Sequence, residues 1–161
     1  MNTYDIIKWV ESRTHGIVHG NRTFIHHLFG TYDILRSWGE DLSLCHAGLC
    51  HALYETAYFK NEKMRNRIPR QLLADLIGAE AEYLVYLFCN MPDRAMDLKN
   101  NKFNFPPELY VQLLKIELAN FVEQMDDFSE WTEEQKQNVI RQTLDLIKSH
   151  DVNFEPKGIM I

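Results

Sequence analysis

Apolar residues in this chain recur at three- and four-residue intervals through most of its length, and no stretch reads convincingly as a strand. Phe24, Leu28, Tyr32, Leu35 and Trp38 set the pattern. Residues so spaced lie on one face of an α-helix and can be buried together. Ile6, Ile7 and Val10 mark a shorter helix from Thr3 to about Ser12. Gly16 and Gly20 signal a loop, after which Asn21 can cap the next helix. Gly39 stands where a left-handed residue would end that helix, just past Trp38. A third helix is expected from a cap at Asp41 or Ser43 to about Tyr58. Pro69 suits the first turn of a short helix ending at Gly78, and Ala79 to about Phe88 form an apolar one. Residues 90–105, with Pro92, Asn100 and Asn101, read as a long loop. Pro106 and Pro107 open a helix over Glu108 to about Phe128. Thr132 with Gln135 is a capping-box pattern for the last helix, which buries Val139, Ile140, Leu144 and Ile147. The reading is one all-α domain of six or seven helices over residues 1–150, with a loosely held tail at 151–161.

Composition narrows the function classes. The chain has 161 residues, enough for one real core, and is 45% hydrophobic and 25% charged. A net charge of −6 argues against general nucleic-acid binding, where neutralising phosphates dominates affinity. No apolar run approaches the roughly 18–20 residues of a membrane span, and the charged N-terminus MNTYDIIKWVES lacks a signal core. A soluble, cytoplasmic protein is expected. Cys45, Cys50 and Cys89 cannot make a disulfide framework and read as reduced, packed thiols.

Six of the seven histidines fall in the first third of the chain. Neutral imidazole is a common ligand of transition metals, and a metal site draws several ligands from different elements. His27 and His51 lie 24 residues apart on successive expected helices, joined at Gly39, which would bring the two rings together. His19, in the loop before the first of these helices, is a third possible ligand. Glu55 follows His51 by one helical turn and would share its face, as a metal ligand, an orienting group or a general base on water. A plain surface glutamate is the alternative. Lys60, Lys63, Arg65, Arg67 and Arg70 form a basic cluster in an otherwise acidic chain. It would either draw an anion toward a nearby cleft or be a solvated loop. Arg94 suits bidentate recognition of phosphate, or a loop tie with Asp93.

The segment from His27 to Asn120 resembles the HD superfamily of metal-dependent phosphohydrolases, most nearly the branch that hydrolyses guanosine polyphosphate alarmones. His27 matches the first histidine, Gly39 the glycine after the helix, and CHAGLCHALYET the region of the His-Asp and Glu-Asp pairs. LLADLIGAEAEYLVYLF and LLKIELANFVEQM are similar to later stretches of that domain. The resemblance implies a helical HD-like bundle whose four ligands fall on His27, His51, Ala52 and Asn120. Two are kept, one is lost and one becomes a neutral amide; Thr56 stands in place of the second aspartate. HGNRTFIHHLFGTYDILRSWG also resembles an uncharacterised group of bacterial HD-like proteins without the HD aspartate.

Three readings follow. A divergent HD-type hydrolase of a phosphorylated small molecule would bind one divalent metal (Mn, Zn or Fe), weakly, through His27, His51 and His19. Glu55 would act as base, and Arg94, Asn120, Lys63 and Arg65 would hold the substrate. A non-catalytic HD-like protein would use the same polar groups to bind a small anionic ligand. An interaction module would carry them as a satisfied buried network.

Overall fold

The computed structural model describes residues 2–62 and 68–159. Among them are eight α-helices: α1 (Thr3–Thr14), α2 (Phe24–Ser37), α3 (Leu42–Cys50), α4 (Arg70–Ile77), α5 (Ala79–Asn90), α6 (Arg94–Lys99), α7 (Pro107–Gln124) and α8 (Glu133–Lys148). A single 3₁₀ turn, Met125–Asp127, follows α7. The all-α expectation holds, with more helices than periodicity alone indicates. The described strands are two two-residue pieces, β1 (Val18–His19) and β2 (Arg22–Thr23), paired antiparallel as a minimal hairpin. No helix among the described residues is long and apolar enough to cross a membrane.

The core forms where α2 lies against α3 on one side and α7 on the other. Phe24, Leu28 and Leu35 of α2 are fully buried, each stabilising the fold by about 1.5–3 kcal/mol through apolar burial. Two glycines let these helices approach. A Cβ on Gly48 would lie 2.4 Å from Leu35 Cδ1, and one on Gly30 would lie 2.7 Å from Glu123 Cγ. At Gly39, φ is +86°, and its N–H and that of Glu40 reach back to Arg36 and Leu35 carbonyls (3.1 and 3.2 Å). That closes α2 as the glycine signal predicts. Asp41 caps α3 by accepting from Leu44 N at 2.8 Å, and the Thr132–Gln135 capping box opens α8.

Four local expectations are corrected. Asn21 does not cap α2: the β1–β2 hairpin carries the chain to Thr23, so the helix starts at Phe24. α3 stops at Cys50 rather than near Tyr58. Beyond it, Leu53 N and Glu55 N bond three residues back, Glu55 turns to φ +65°, and Thr56 Oγ1 accepts from Tyr58 N and Phe59 N. Side-chain and turn hydrogen bonds there replace the helical ladder. The long loop at 90–105 contains α6, anchored by buried Leu98, whose carbonyl accepts from Tyr110 Oη at 2.6 Å. Six residues are too few for a periodic signal. The tail beyond residue 150 is docked rather than loose. Phe154 is buried edge-on to Trp38, and Trp38 Nε1 donates to the Lys157 carbonyl.

A candidate functional site at a histidine pair

α7 is the wall on which the site is built. Glu117, Asn120 and Gln124 recur at three- and four-residue spacing along α7 and face a cavity of about 340 Å³. His27 from α2 and His51, the residue closing α3, face the same cavity. Their Nε2 atoms are 3.1 Å apart, with the ring planes near perpendicular. Both imidazoles are buried.

The far nitrogen of each ring is fixed. His51 Nδ1 lies 2.7 Å from the Gly48 carbonyl, which can only accept, so Nδ1 carries a proton and Nε2 presents its lone pair. His27 Nδ1 bonds to the Glu123 carboxyl. Arg22, from β2, grips that same carboxyl and donates also to the Glu123 carbonyl (3.1 Å) and to Asp127 (2.9 Å). Burial, reinforced by neighbouring His19, Arg22 and Arg94, lowers the pKa of His27. Burial, then His27, holds His51 well below its usual range. Glu123 is pushed up to about 7 by burial, with Arg22 acting in the opposite sense. When the Glu123 carboxyl is protonated and donates to His27 Nδ1, His51 Nε2 accepts from His27 Nε2; when Glu123 is ionised, the two nitrogens instead both present lone pairs, to a metal ion or a shared proton.

The pair fits a metal geometrically. With metal–nitrogen bonds of about 2.0–2.1 Å, two ligand nitrogens stand about 2.9 Å apart at a right angle and about 3.4 Å apart at a tetrahedral one. The observed 3.1 Å falls between. The remaining donors are sparse. Ala52 lines the pocket but offers none. Asn120 Oδ1 accepts from Gln124 Nε2 at 2.6 Å and keeps a second lone pair. His19 does reach the pocket, with its ring 4.6 Å from that of His27 and its Nε2 3.5 Å from Gln124 Oε1. Among the described residues no group of three or more His, Cys, Asp or Glu could hold a metal.

Arg94 also lines the pocket. Its Nε donates to Glu117 at 2.6 Å and its guanidinium lies over the Phe88 ring at 4.1 Å. Phe24, Tyr58, Phe59, Phe128 and Trp131 make most of the remaining wall aromatic. Glu55 is not in that wall. Because α3 ends at Cys50, the four-residue spacing no longer places it over His51, and its carboxylate accepts from Asn61 N at 2.7 Å. Lys63 and Arg65 lie outside the described residues. The structure thus gathers His19, His27, His51, Arg94 and Asn120, and leaves Glu55 aside.

Glu123, Arg22 and Glu117 were missed in the sequence. The polar stripe of α7 was a usable signal for Glu117. Arg22 and Glu123, 101 residues apart in sequence, have no local signal.

A family model described as a domain of unknown function (DUF6817) matches residues 9–94. That span carries His19, His27, His51 and Arg94 but stops before α7. No curated protein matches the chain. No solved structure matches it either.

Proposed function

The chain belongs to the DUF6817 family, and from its pocket we propose a divergent HD-type site that binds a divalent metal and a phosphorylated small molecule. One observation carries this reading: the Nε2 atoms of His27 and His51 face each other at 3.1 Å while both Nδ1 atoms are engaged elsewhere. Metal-binding histidines are oriented in this way, by a carboxylate or backbone carbonyl on the other nitrogen. His27 and His51 would hold the ion, with Glu123 and Gly48 fixing the rings. A metal there would polarise a phosphoryl oxygen and activate water, which makes hydrolysis the matching reaction class. Arg94 and the Asn120 amide would orient the anionic group. With Ala52 and Asn120 in place of two carboxylates, the ion would be held weakly. The three buried free thiols suit a cytoplasmic setting.

A second reading has its own support. Glu117, the carboxylate in the pocket wall among the described residues, is committed to Arg94, so no uncommitted carboxylate base stands there. The pocket would then bind its anionic ligand without hydrolysing it.

Calorimetric titration of dialysed, tag-free protein with Mn²⁺ or Zn²⁺ separates these. The metal reading expects one ion per chain, with binding lost in His27→Ala and in His51→Ala. Equal binding by wild type and both variants would remove the pair as ligands. Release of phosphate from a panel of nucleotide and sugar phosphates then decides the chemistry. Metal-dependent turnover supports the hydrolase, and saturable binding without turnover supports the binder.

A further inference from the structure

Behind the histidine pocket lies a second cavity of about 230 Å³ between α6, α7 and α8. The two are neighbours with common walls: Ala95, Glu117, Phe121 and Trp131 line both. Their chemistry differs. The first carries the histidine pair, Asn120 and Gln124. The second is faced by Leu98, Leu114, Val139 and Leu146, with Met96 at its edge.

The face of α8 explains why this space is open. Ile140, Leu144 and Ile147 are buried in the core, whereas Val139, Thr143 and Leu146, on the adjacent stripe, are only half-buried and look into the cavity. Lys99 Nζ donates to Gln142 Oε1 at 2.9 Å, a polar pair in the cavity's lining that ties α6 to α8. Trp131, which lines both cavities, is 42% exposed, and Met96, which lines the second alone, is 49% exposed. Trp131 stacks on Phe128, which stacks on Phe121, so an aromatic stack stands where the two cavities adjoin. Ligand pockets usually span about 300–1,000 Å³. The second cavity alone is below that range, and it makes sense as an extension of the first.

We propose that the ligand of the histidine pocket is an amphiphile, its anionic head at the Arg94 guanidinium beside the His27–His51 pair and its apolar chain running past Phe121 and Trp131 into the cavity between α6, α7 and α8. This rests on the reading of the histidine pocket as a ligand site and adds the class of molecule it takes. A purely polar phosphate ester would leave the apolar cavity unused. A purely apolar molecule would offer no anionic group to the Arg94 guanidinium in the pocket wall.

The test is a series of n-alkyl phosphates, ethyl to octyl, titrated calorimetrically into the whole chain with Mn²⁺ present. Burial of one methylene is worth about fourfold in affinity. Affinity should therefore climb about fourfold per methylene until the cavity is full. Thr143→Phe, which occupies the second cavity alone, should flatten that climb and leave ethyl phosphate binding unchanged. Leu146→Phe does the same from another position if Thr143→Phe does not fold, and the wild-type series is decisive without either. Ethyl phosphate binding that is lost in His51→Ala, with no dependence on chain length, would overturn the amphiphile and leave the proposed function standing. Length-dependent binding that survives in His51→Ala would support the apolar chamber and overturn the histidine reading. No binding by any member overturns both.

Discussion

At the scale of the residue, the absence of a side chain matters as much as its presence. Glu123 reaches His27 because Gly30, on the facing surface of α2, leaves room for it. A methyl group there would sit 2.7 Å from Glu123 Cγ and 2.8 Å from its Oε1. Helix propensity would favour alanine over glycine by about 1 kcal/mol. The clash opposes this, since forcing an extra methyl into a packed site costs about 1–3 kcal/mol. Gly30→Ala is therefore expected to be neutral to destabilising by about 2 kcal/mol in urea unfolding, despite the better helix former. The mechanism is checked by a double-mutant cycle: in a Glu123→Ala background the same substitution should become stabilising. Additive effects would mean that Glu123 is not what Gly30 accommodates.

Elements are joined around the pocket by ion pairs as well as apolar packing. Arg70 at the start of α4 donates twice to Glu82 of α5, both at 2.7 Å, and Tyr54 Oη donates to the same carboxylate at 2.9 Å. Arg70 also lies over the Tyr86 ring at 3.8 Å. These contacts tie α4 and α5 to the turn after α3, and that turn continues into Thr56, Tyr58 and Phe59 of the pocket wall. Burial raises the Glu82 pKa, but the hydrogen bonds from Arg70 and Tyr54 outweigh it and hold it below its usual 4.5. A carboxyl with a lowered folded-state pKa stabilises the fold above its unfolded-state pKa, and that contribution fades as pH falls through the folded value. The melting temperature of Glu82→Gln should therefore lie below wild type at pH 7, with the gap closing as pH drops below about 4. A gap that stays constant from pH 7 to pH 3 would assign the loss to packing instead. Half of the Arg70 side chain is exposed, so the effect should be modest and reduced by salt.

Across the whole molecule, the last described residues close the bundle on the side of the α2–α3 turn. Lys115 of α7 bonds to Glu40 (2.8 Å) and Asp151 (3.0 Å) and lies over the Phe154 ring at 4.5 Å. Phe154 itself packs on Trp38. A Phe→Ala change in a packed core costs about 3–5 kcal/mol, and Phe154→Ala should cost toward the lower end because it lies at the margin. Thermal melting checks this, and a change within error would mean the tail does not support the fold. Much of the molecule was legible beforehand. The three- and four-residue spacing, the glycine at position 39 and the Thr132 cap are local signals, because helix formation and capping depend on neighbours in sequence. The pairing of His27 with His51 was legible for the same reason: two helices and a glycine turn bring them together. The end of α3 was not, since local turn and side-chain hydrogen bonds stop the helix within an apolar run; nor was α6, too short for periodicity, nor the docked tail, which is set by Trp38 far along the chain. Nor was the exchange of Glu55 for Glu123 beside the histidines legible. A carboxylate's place in sequence told only which helix face it would share. Which carboxylate came to bond His27 was decided by the close approach of α2 and α7 at Gly30, a contact 93 residues apart in sequence that exists only once the core has packed.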